Sequence, residues 1–530
     1  MVIKPRIACI GNIPGDMMSD SRFHMSQYKA ETEINLPERV WIFDTTLRDG
    51  EQMHGVTYTI DEKVLIAQQL DELRVPKIEA GFPVTSPGET EAVKKIAALG
   101  LDAQVVALAR PLKDDIDRAL ACDVPYIHVF ISTSDLHIDT MMKSTREDVL
   151  NQAVEGVEYA KDHGVFVEFS PQDATRTDMD YLIKVCNAVE DVGAEMLNIP
   201  DTVGVMTPRM TFEFFKELKA ATRVPLSAHA HNDLGQATAN TLASIEAGAE
   251  QAHVCVNGLG ERAGNTSLEE VVISLIAQYG VETGINTRKI AKTSALVERL
   301  SSVYMSSNTP IIGDNAFAHE AGIHVHGVLS NSGNYEILRP EFVGKTSRIH
   351  AGKHAGRHGI SSMMDDLGLE PTREQLKAIA DSVKKLGDTG KILSDSDLYA
   401  IAKNIMDIQE EDRVQLKQLL VVTGNTITPT ASATLLVDGK EYKGAGVGNG
   451  PIDSAINAIR NVVNGFANIT LEKFSMKAIT GGTDAVADVT VSVRRGDRLV
   501  TASSVNGDTV MASVEAILKG MNRLLDDKKT

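Results

Sequence analysis

The chain has 530 residues, with 53 Lys and Arg against 72 Asp and Glu, a formal charge of −19. At roughly 150 residues per domain, that length predicts two to four domains. A hydrophobic share of 43% and a charged share of 24% are those of a globular chain and argue against wholesale disorder or a fibrous repeat. The acidic balance argues against nucleic-acid and anionic-membrane surfaces, which need clustered Lys and Arg, and favours small-molecule partners.

Residues 1–38 contain no apolar stretch long enough for a signal segment or a membrane span, and read as a soluble extension. Cys9, Cys122, Cys186 and Cys255 show no C-x-x-C spacing, so neither a zinc knuckle nor a disulfide framework is expected, and the compartment reads as reducing and cytoplasmic. From 39 to 280, short runs rich in Val and Ile alternate with segments of helical period. The expected strands are Val40 to Thr46, Lys77 to Pro83, Gln104 to Arg110, Tyr126 to Thr133, Val165 to Pro171, Met196 to Thr202, Pro225 to His231 and Gln251 to Gly258. Helices are expected between them, among others over Asp61 to Leu73, Arg146 to Asp162, Asp178 to Val192 and Gln236 to Ala247. Eight apolar strands, each followed by a helix, predict an α/β fold built on a (β/α)8 TIM barrel. A doubly wound open sheet is the alternative, but Asp44-Thr45-Thr46-Leu47-Arg48-Asp49-Gly50 in the first turn is not a dinucleotide fingerprint.

Residues 281–418 read as a helical linker region with Gly-rich and His-rich loops, ending in a polar helical connector from Pro371 to about Arg413. Residues 419–530 read as an α+β domain with an internal pseudo-two-fold repeat. Ala433 to Val437, a turn at Asp438-Gly439, a second strand, Gly448-Asn449-Gly450 and a helix from Asp453 are echoed further on. The echo is Asp488 to Val493, a turn at Gly496-Asp497, a second strand, Asn506-Gly507-Asp508 and a helix from Thr509. Gly448, Gly450, Asp453, Asn506 and Asp508 thus mark two Gly-rich helix entrances, where N–H groups and helix dipoles could cradle a carboxylate. Ordinary tight turns explain the same pattern equally well.

The chemistry-bearing residues gather at the ends of the expected strands. His229 and His231 are two apart on the seventh strand and so share a face, while Asp49 follows the first strand. Active sites of such barrels lie at the C-terminal ends of the strands, and one carboxylate with two imidazoles is a reasonable ligand set for a divalent metal. Glu168, Gln172, Asp173 and Arg176, Asp201-Thr202, and Gly260-Glu261-Arg262 fall at the same rim. Buried there, such groups must be paired or bind something.

Four ordered motifs resemble the signatures of 2-isopropylmalate synthases and the related citramalate synthases. They are Phe43-Asp44-Thr45-Thr46-Leu47-Arg48-Asp49-Gly50-Glu51-Gln52, His229-x-His231-Asn232-Asp233, Asn257-Gly258-x-Gly260-Glu261-Arg262-Ala263-Gly264-Asn265 and Ala316-Phe317-x-His319-Glu320-x-Gly322-Ile323-His324. Homocitrate synthases, which usually carry Arg-Glu-Gly-Glu-Gln at Arg48 to Gln52 and lack the C-terminal repeat, rank third. The resemblance implies a Claisen-type condensation of acetyl-CoA with a 2-oxo acid, then thioester hydrolysis. With 3-methyl-2-oxobutanoate this would be the first committed step of leucine biosynthesis; with pyruvate it would give citramalate for isoleucine.

The resemblance further implies that Asp49, His229, His231 and Asn265 hold a divalent ion, manganese, magnesium or zinc, with a monovalent cation as a further activator. Arg48 would stabilise the developing alkoxide. Gln52, His54, Glu79 and Thr202 match substrate-pocket positions. His324 and Tyr335 match catalytic residues that reach a partner's barrel, so a homodimer is implied, with leucine or isoleucine as feedback effector. Two departures stand out. Gln172 replaces a carboxylate of the relatives, so either His324 works without it, Glu168 or Asp173 substitutes, or activity is reduced; a non-catalytic, amino-acid-binding paralogue is the further alternative. His54 stands where relatives carry Pro, and is either a residue reshaping the oxo-acid pocket or a solvent-facing loop histidine.

Overall fold

The computed structural model describes residues 23–26, 34, 36–388, 393, 395–408, 412–463, 468–478, 486–496 and 498–525. Most of the expected N-terminal extension, including Cys9, and Asp497 of the second expected turn lie outside the described residues. The chain divides into two compact units, one running to Phe317 and including Glu336–Ser347, the other formed by Ala318–Tyr335 and the chain from Arg348 onward. Residues of the expected 281–418 linker contribute to both.

In the first unit, eight parallel strands close into a barrel: β1 (Trp41–Asp44), β2 (Lys77–Gly81), β3 (Gln104–Ala109), β4 (Tyr126–Ser132), β5 (Phe166–Gln172), β6 (Met196–Asp201), β7 (Leu226–Ala230) and β8 (Gln251–Val254). β1 pairs with β8, which closes the ring. Helices follow because the sequence supplies their start signals. Thr59, Ser86, Thr145, Asp178, Thr207 and Ser267 each accept a hydrogen bond from a backbone N–H of the first turn that follows, and Thr59 with Glu62 completes a capping box.

The two faces of each strand differ in chemistry. Outward residues such as Ile42, Ile78, Val105, Ile127, Val129, Val167 and Leu197 are buried against the helices and form the main apolar core. The barrel interior is largely polar, whereas such barrels are commonly filled by branched apolar side chains. At its lower level Lys77 donates to Gln251 at 2.6 Å, and Glu168 accepts from Tyr126 at 2.7 Å and from Gln251 at 3.0 Å and lies 2.8 Å from His253 Nε2. Burial opposes the charge on Glu168, but His253, His128 and Lys77 outweigh it and hold the carboxyl well below its usual range.

The second unit contains helices Arg357–Asp366, Arg373–Asp388 and Asp395–Ile405. Ile360, Met364, Ile379, Val383 and Leu398 are buried among them, so the polar connector has a small core of its own. The C-terminal repeat is larger than the sequence signal suggested. Each half is a three-stranded antiparallel sheet followed by a helix: Val414–Val422, Thr430–Val437, Lys440–Val447 and helix Pro451–Val463, then Thr470–Ala478, Ala487–Arg495, Arg498–Asn506 and helix Thr509–Leu525. The leading strand of each half carries a register shift, at Leu416/Gln418 and at Leu471/Lys473. Those irregular strands lack the turn signals by which the hairpins were recognised.

Candidate active site

At the C-terminal end of the barrel the strand ends deliver one cluster. Asp49 lies on the turn after β1, His229 points inward from β7, and His231 follows it by two residues. All three are buried, and one ligand atom from each lies within 4.8 Å of the others. His229 Nε2 is 3.3 Å from His231 Nε2 and 3.7 Å from Asp49 Oδ2. Burial opposes ionisation of Asp49, but Arg48, His229 and His231 outweigh it and hold the carboxyl well below its usual range. Burial pushes both imidazoles down, and for His229 the adjacent His231 adds to the effect. An ionised carboxylate and two neutral imidazoles, their lone pairs converging, fit a divalent cation.

The fourth expected ligand arrives differently. The loop after β8 folds back so that Asn265 bridges to His231. Asn265 meets the cluster through its amide nitrogen, which donates to Asp49 Oδ1 at 2.8 Å, while its buried Oδ1 has no partner among the described residues. Gly260 makes this approach possible. Its φ of +152° is unfavourable for L side chains, and a Cβ there would meet Asn265 Nδ2 at 2.2 Å.

Arg48 is held from two sides, its Nε donating to Glu79 Oε2 at 2.6 Å and its Nη1 to Asp49. Glu79, fully buried on β2, also meets His128 Nδ1 at 2.7 Å, and His128 Nε2 lies 2.6 Å from Ser170 Oγ. Asn198 donates to the same hydroxyl at 2.7 Å. Above this layer opens a cavity of about 360 Å³, lined on its polar side by Arg48, Asp49, Gln52, Gln172, Thr202, His229 and His231. Phe82, Leu108, Phe130 and Pro200 supply an apolar wall.

Residues 39–297 match the HMGL-like family, 311–391 the homocitrate synthase post-HMGL domain-like family, and 392–525 the LeuA allosteric (dimerisation) domain. Among curated relatives, "Probable 2-isopropylmalate synthase" of Methanopyrus kandleri is 52% identical, covering 92% of this chain and 99% of that protein. The 2-isopropylmalate synthase of Methanocaldococcus jannaschii is 48% identical over 94% of this chain and 97% of its own length. The same organism's (R)-citramalate synthase is 46% identical over 92% and 100%. The chain belongs to the family of 2-isopropylmalate and citramalate synthases. It is an enzyme of that family.

The remaining motif residues of this synthase fold fall into three groups. Gln52, Gln172 and Thr202 line the cavity. Glu79 does not, because it sits beneath Arg48 and acts on the cavity only through Arg48 and His128. His54 does not line it either: it is exposed on the loop after β1, the solvent-facing alternative. Neither carboxylate offered as a substitute beside Gln172 reaches the cavity. Glu168 lies deeper in the barrel and is consumed by Tyr126, Gln251 and His253, while Asp173 is buried against Ser134 at 2.5 Å and Arg176 at 2.8 Å. His128, Asn198, Phe82, Leu108 and Phe130 were not singled out from sequence; the signal available was the alternation on β4, where Tyr126, His128, Phe130 and Ser132 share one face.

In the second unit His324 and Tyr335 stack on each other, ring centroids 4.2 Å apart. The five residues of the Gly-rich entrances lie at the starts of the two C-terminal helices. Asp508 accepts from the N–H groups of Val510 and Met511, Asn506 from that of Asp508, and Asp453 from that of Asn449. Those side chains thus satisfy their own helix entrances. A Cβ on Gly448 would meet Ser454 N at 2.4 Å, whereas Gly450 has open space.

Proposed function

We propose that the chain condenses acetyl-CoA with 3-methyl-2-oxobutanoate to give 2-isopropylmalate and CoA. The observation that carries this reading is the convergence of Asp49, His229 and His231 with Arg48 on one cavity of a chain in this family. Asp49, His229 and His231 would hold the divalent ion, and rotation of the Asn265 amide would turn Oδ1 toward them. When bound, the ion supplies Lewis-acid charge to the oxygens of the oxo acid. Arg48, fixed by Glu79 and Asp49, presents its remaining N–H groups to the keto oxygen as charge develops there. The wall formed by Phe82, Leu108, Phe130 and Pro200 suits a branched apolar side chain. His324, backed by Tyr335, is the base that the family resemblance assigns.

Citramalate formation from pyruvate is the second reading, favoured by a 46% identical citramalate synthase standing beside a 48% identical isopropylmalate synthase in one organism. The two substrates differ by two methyl groups, each worth about 1 to 3 kcal/mol of discrimination. Thiol release with acetyl-CoA and each 2-oxo acid separates them. A higher kcat/KM is expected with 3-methyl-2-oxobutanoate, and preference for pyruvate would reverse the assignment. Leucine feedback through the C-terminal repeat on a homodimer completes the proposal, supported by the match of 392–525 to an allosteric dimerisation domain. Inhibition that survived deletion of residues 419–530 in a folded, active chain would refute it.

A further inference from the structure

Gln172 lines the substrate cavity as an amide, a group that cannot take up a proton at neutral pH, and the way it is held decides what it offers. β4 and β5 pair with Ser132 opposite Gln172, so both side chains leave the sheet on the same face. Ser132 Oγ lies 2.5 Å from Gln172 Oε1, and His137 Nδ1 lies 3.1 Å from the same hydroxyl. On the far side of the imidazole, Arg176 Nη2 is 3.5 Å from His137 Nε2, and Arg176 is itself anchored on Asp173 at 2.8 Å. The Asp173 carboxylate stands 3.7 Å from His137 Nε2, beyond hydrogen-bond reach.

Gln172 Oε1 carries lone pairs and no proton, so Ser132 Oγ donates to it, and with its one proton spent that hydroxyl can only accept from His137 Nδ1, which leaves Nε2 toward Arg176. The direction of each bond follows from the first. Oε1 is consumed, and Nε2, which has no partner among the described residues, keeps two N–H groups for the cavity.

We propose that Gln172 donates a hydrogen bond to the thioester oxygen of the acyl donor and stabilises the charge that forms there. The assignment rests on the condensation reading, in which the carboxylate and keto oxygens of the oxo acid are already engaged by the ion site and Arg48. In the step concerned, a C–H bond of the acetyl methyl group breaks and its proton passes to the general base, the role that the family resemblance gives to His324. The bonding pair becomes the C=C bond, and the carbonyl π pair moves onto the thioester oxygen. That oxygen gains charge only as the reaction proceeds, so a fixed neutral donor acts on the transition state more than on the bound substrate. Ser132 and His137 are positioning residues that keep the amide from turning over.

The test compares Gln172→Met, Gln172→Glu, Ser132→Ala and Ser132→Thr with the wild-type chain, loaded with the same divalent metal. The measurements are steady-state kinetics and exchange of the acetyl methyl hydrogens in deuterated water. Gln172→Met is expected to lower kcat about 100-fold and methyl exchange in parallel, with the KM for the oxo acid and the Tm little changed. Gln172→Glu should fall at least as far, because an ionised carboxylate offers no donor. Ser132→Ala should lower kcat about 10-fold and Ser132→Thr restore it, a rescue that loss of packing would not produce. Wild-type turnover in Gln172→Met, or faster turnover in Gln172→Glu, would overturn this assignment alone. A wild-type chain inert with both 2-oxo acids would overturn the condensation reading and this assignment together.

Discussion

Arg48 and Asp49 are adjacent in sequence yet serve different faces of the site, and each depends on a residue far along the chain. Glu79→Gln keeps the volume beneath Arg48 but removes the charge that fixes Nε. We expect kcat to fall about 100-fold from misplacement of the guanidinium, with metal affinity retained, as checked by kinetics beside a metal titration. Gly260→Ala acts on the other side, where the added methyl group would displace Asn265 and crowd Asp49. Divalent-ion affinity measured by titration calorimetry should weaken about 10- to 100-fold, as for loss of a group that orients a ligand. Unchanged affinity would mean that the Asn265 amide is not part of the ion's surroundings.

At the scale of the strand ends, two buried carboxyls make stability depend on pH. Burial raises Asp44, the last residue of β1, from 3.8 to about 7, and Glu269, in the first turn after Ser267, from 4.5 to about 7. Between pH 4.5 and 7 the folded chain keeps protons at these two sites that the unfolded chain has lost, so their contribution falls as pH rises, on the order of 3 kcal/mol for each group. The buried His229, His231 and His253 act in the opposite sense below their ordinary value. The effect is therefore read as a difference. Relative to wild type, Glu269→Gln should gain stability progressively from pH 5 to 7 in chemical denaturation, and a constant offset would show that Glu269 does not titrate in that window. In the second unit, Asp508 caps the helix Thr509–Leu525, and Asp508→Ala should cost about 1 kcal/mol of that domain's unfolding free energy, read from its chemical denaturation, leaving ion binding unaltered.

At the scale of the whole molecule, the two units differ in how they are built and in what the sequence disclosed of them. The barrel is a repeated α/β grammar, and its eight strands were legible because each outward face is an apolar run followed by a turn and a helix of clear period. The C-terminal repeat was legible only in its hairpins and helices, since its irregular leading strands carry no turn signature. Sedimentation of the full chain should give a dimer, and deletion of residues 419–530 a smaller species. A full chain that sedimented as a monomer would remove the basis for a site completed by a partner.

The order of elements, the helix caps, the pairing of His229 with His231 and the family motifs are local features, so the linear order of residues determined them. Whether a motif residue meets substrate is a matter of depth within the ring and of register between neighbouring strands. Those depend on closure of the barrel, and so only the folded chain decided that Glu79 and Glu168 lie beneath the cavity. It likewise decided that His54 faces solvent, that His128 and Asn198 line the floor of the cavity, and that Ser132 lies opposite Gln172. A hydrogen bond has a direction that follows from all the groups around it, which the linear sequence does not bring together.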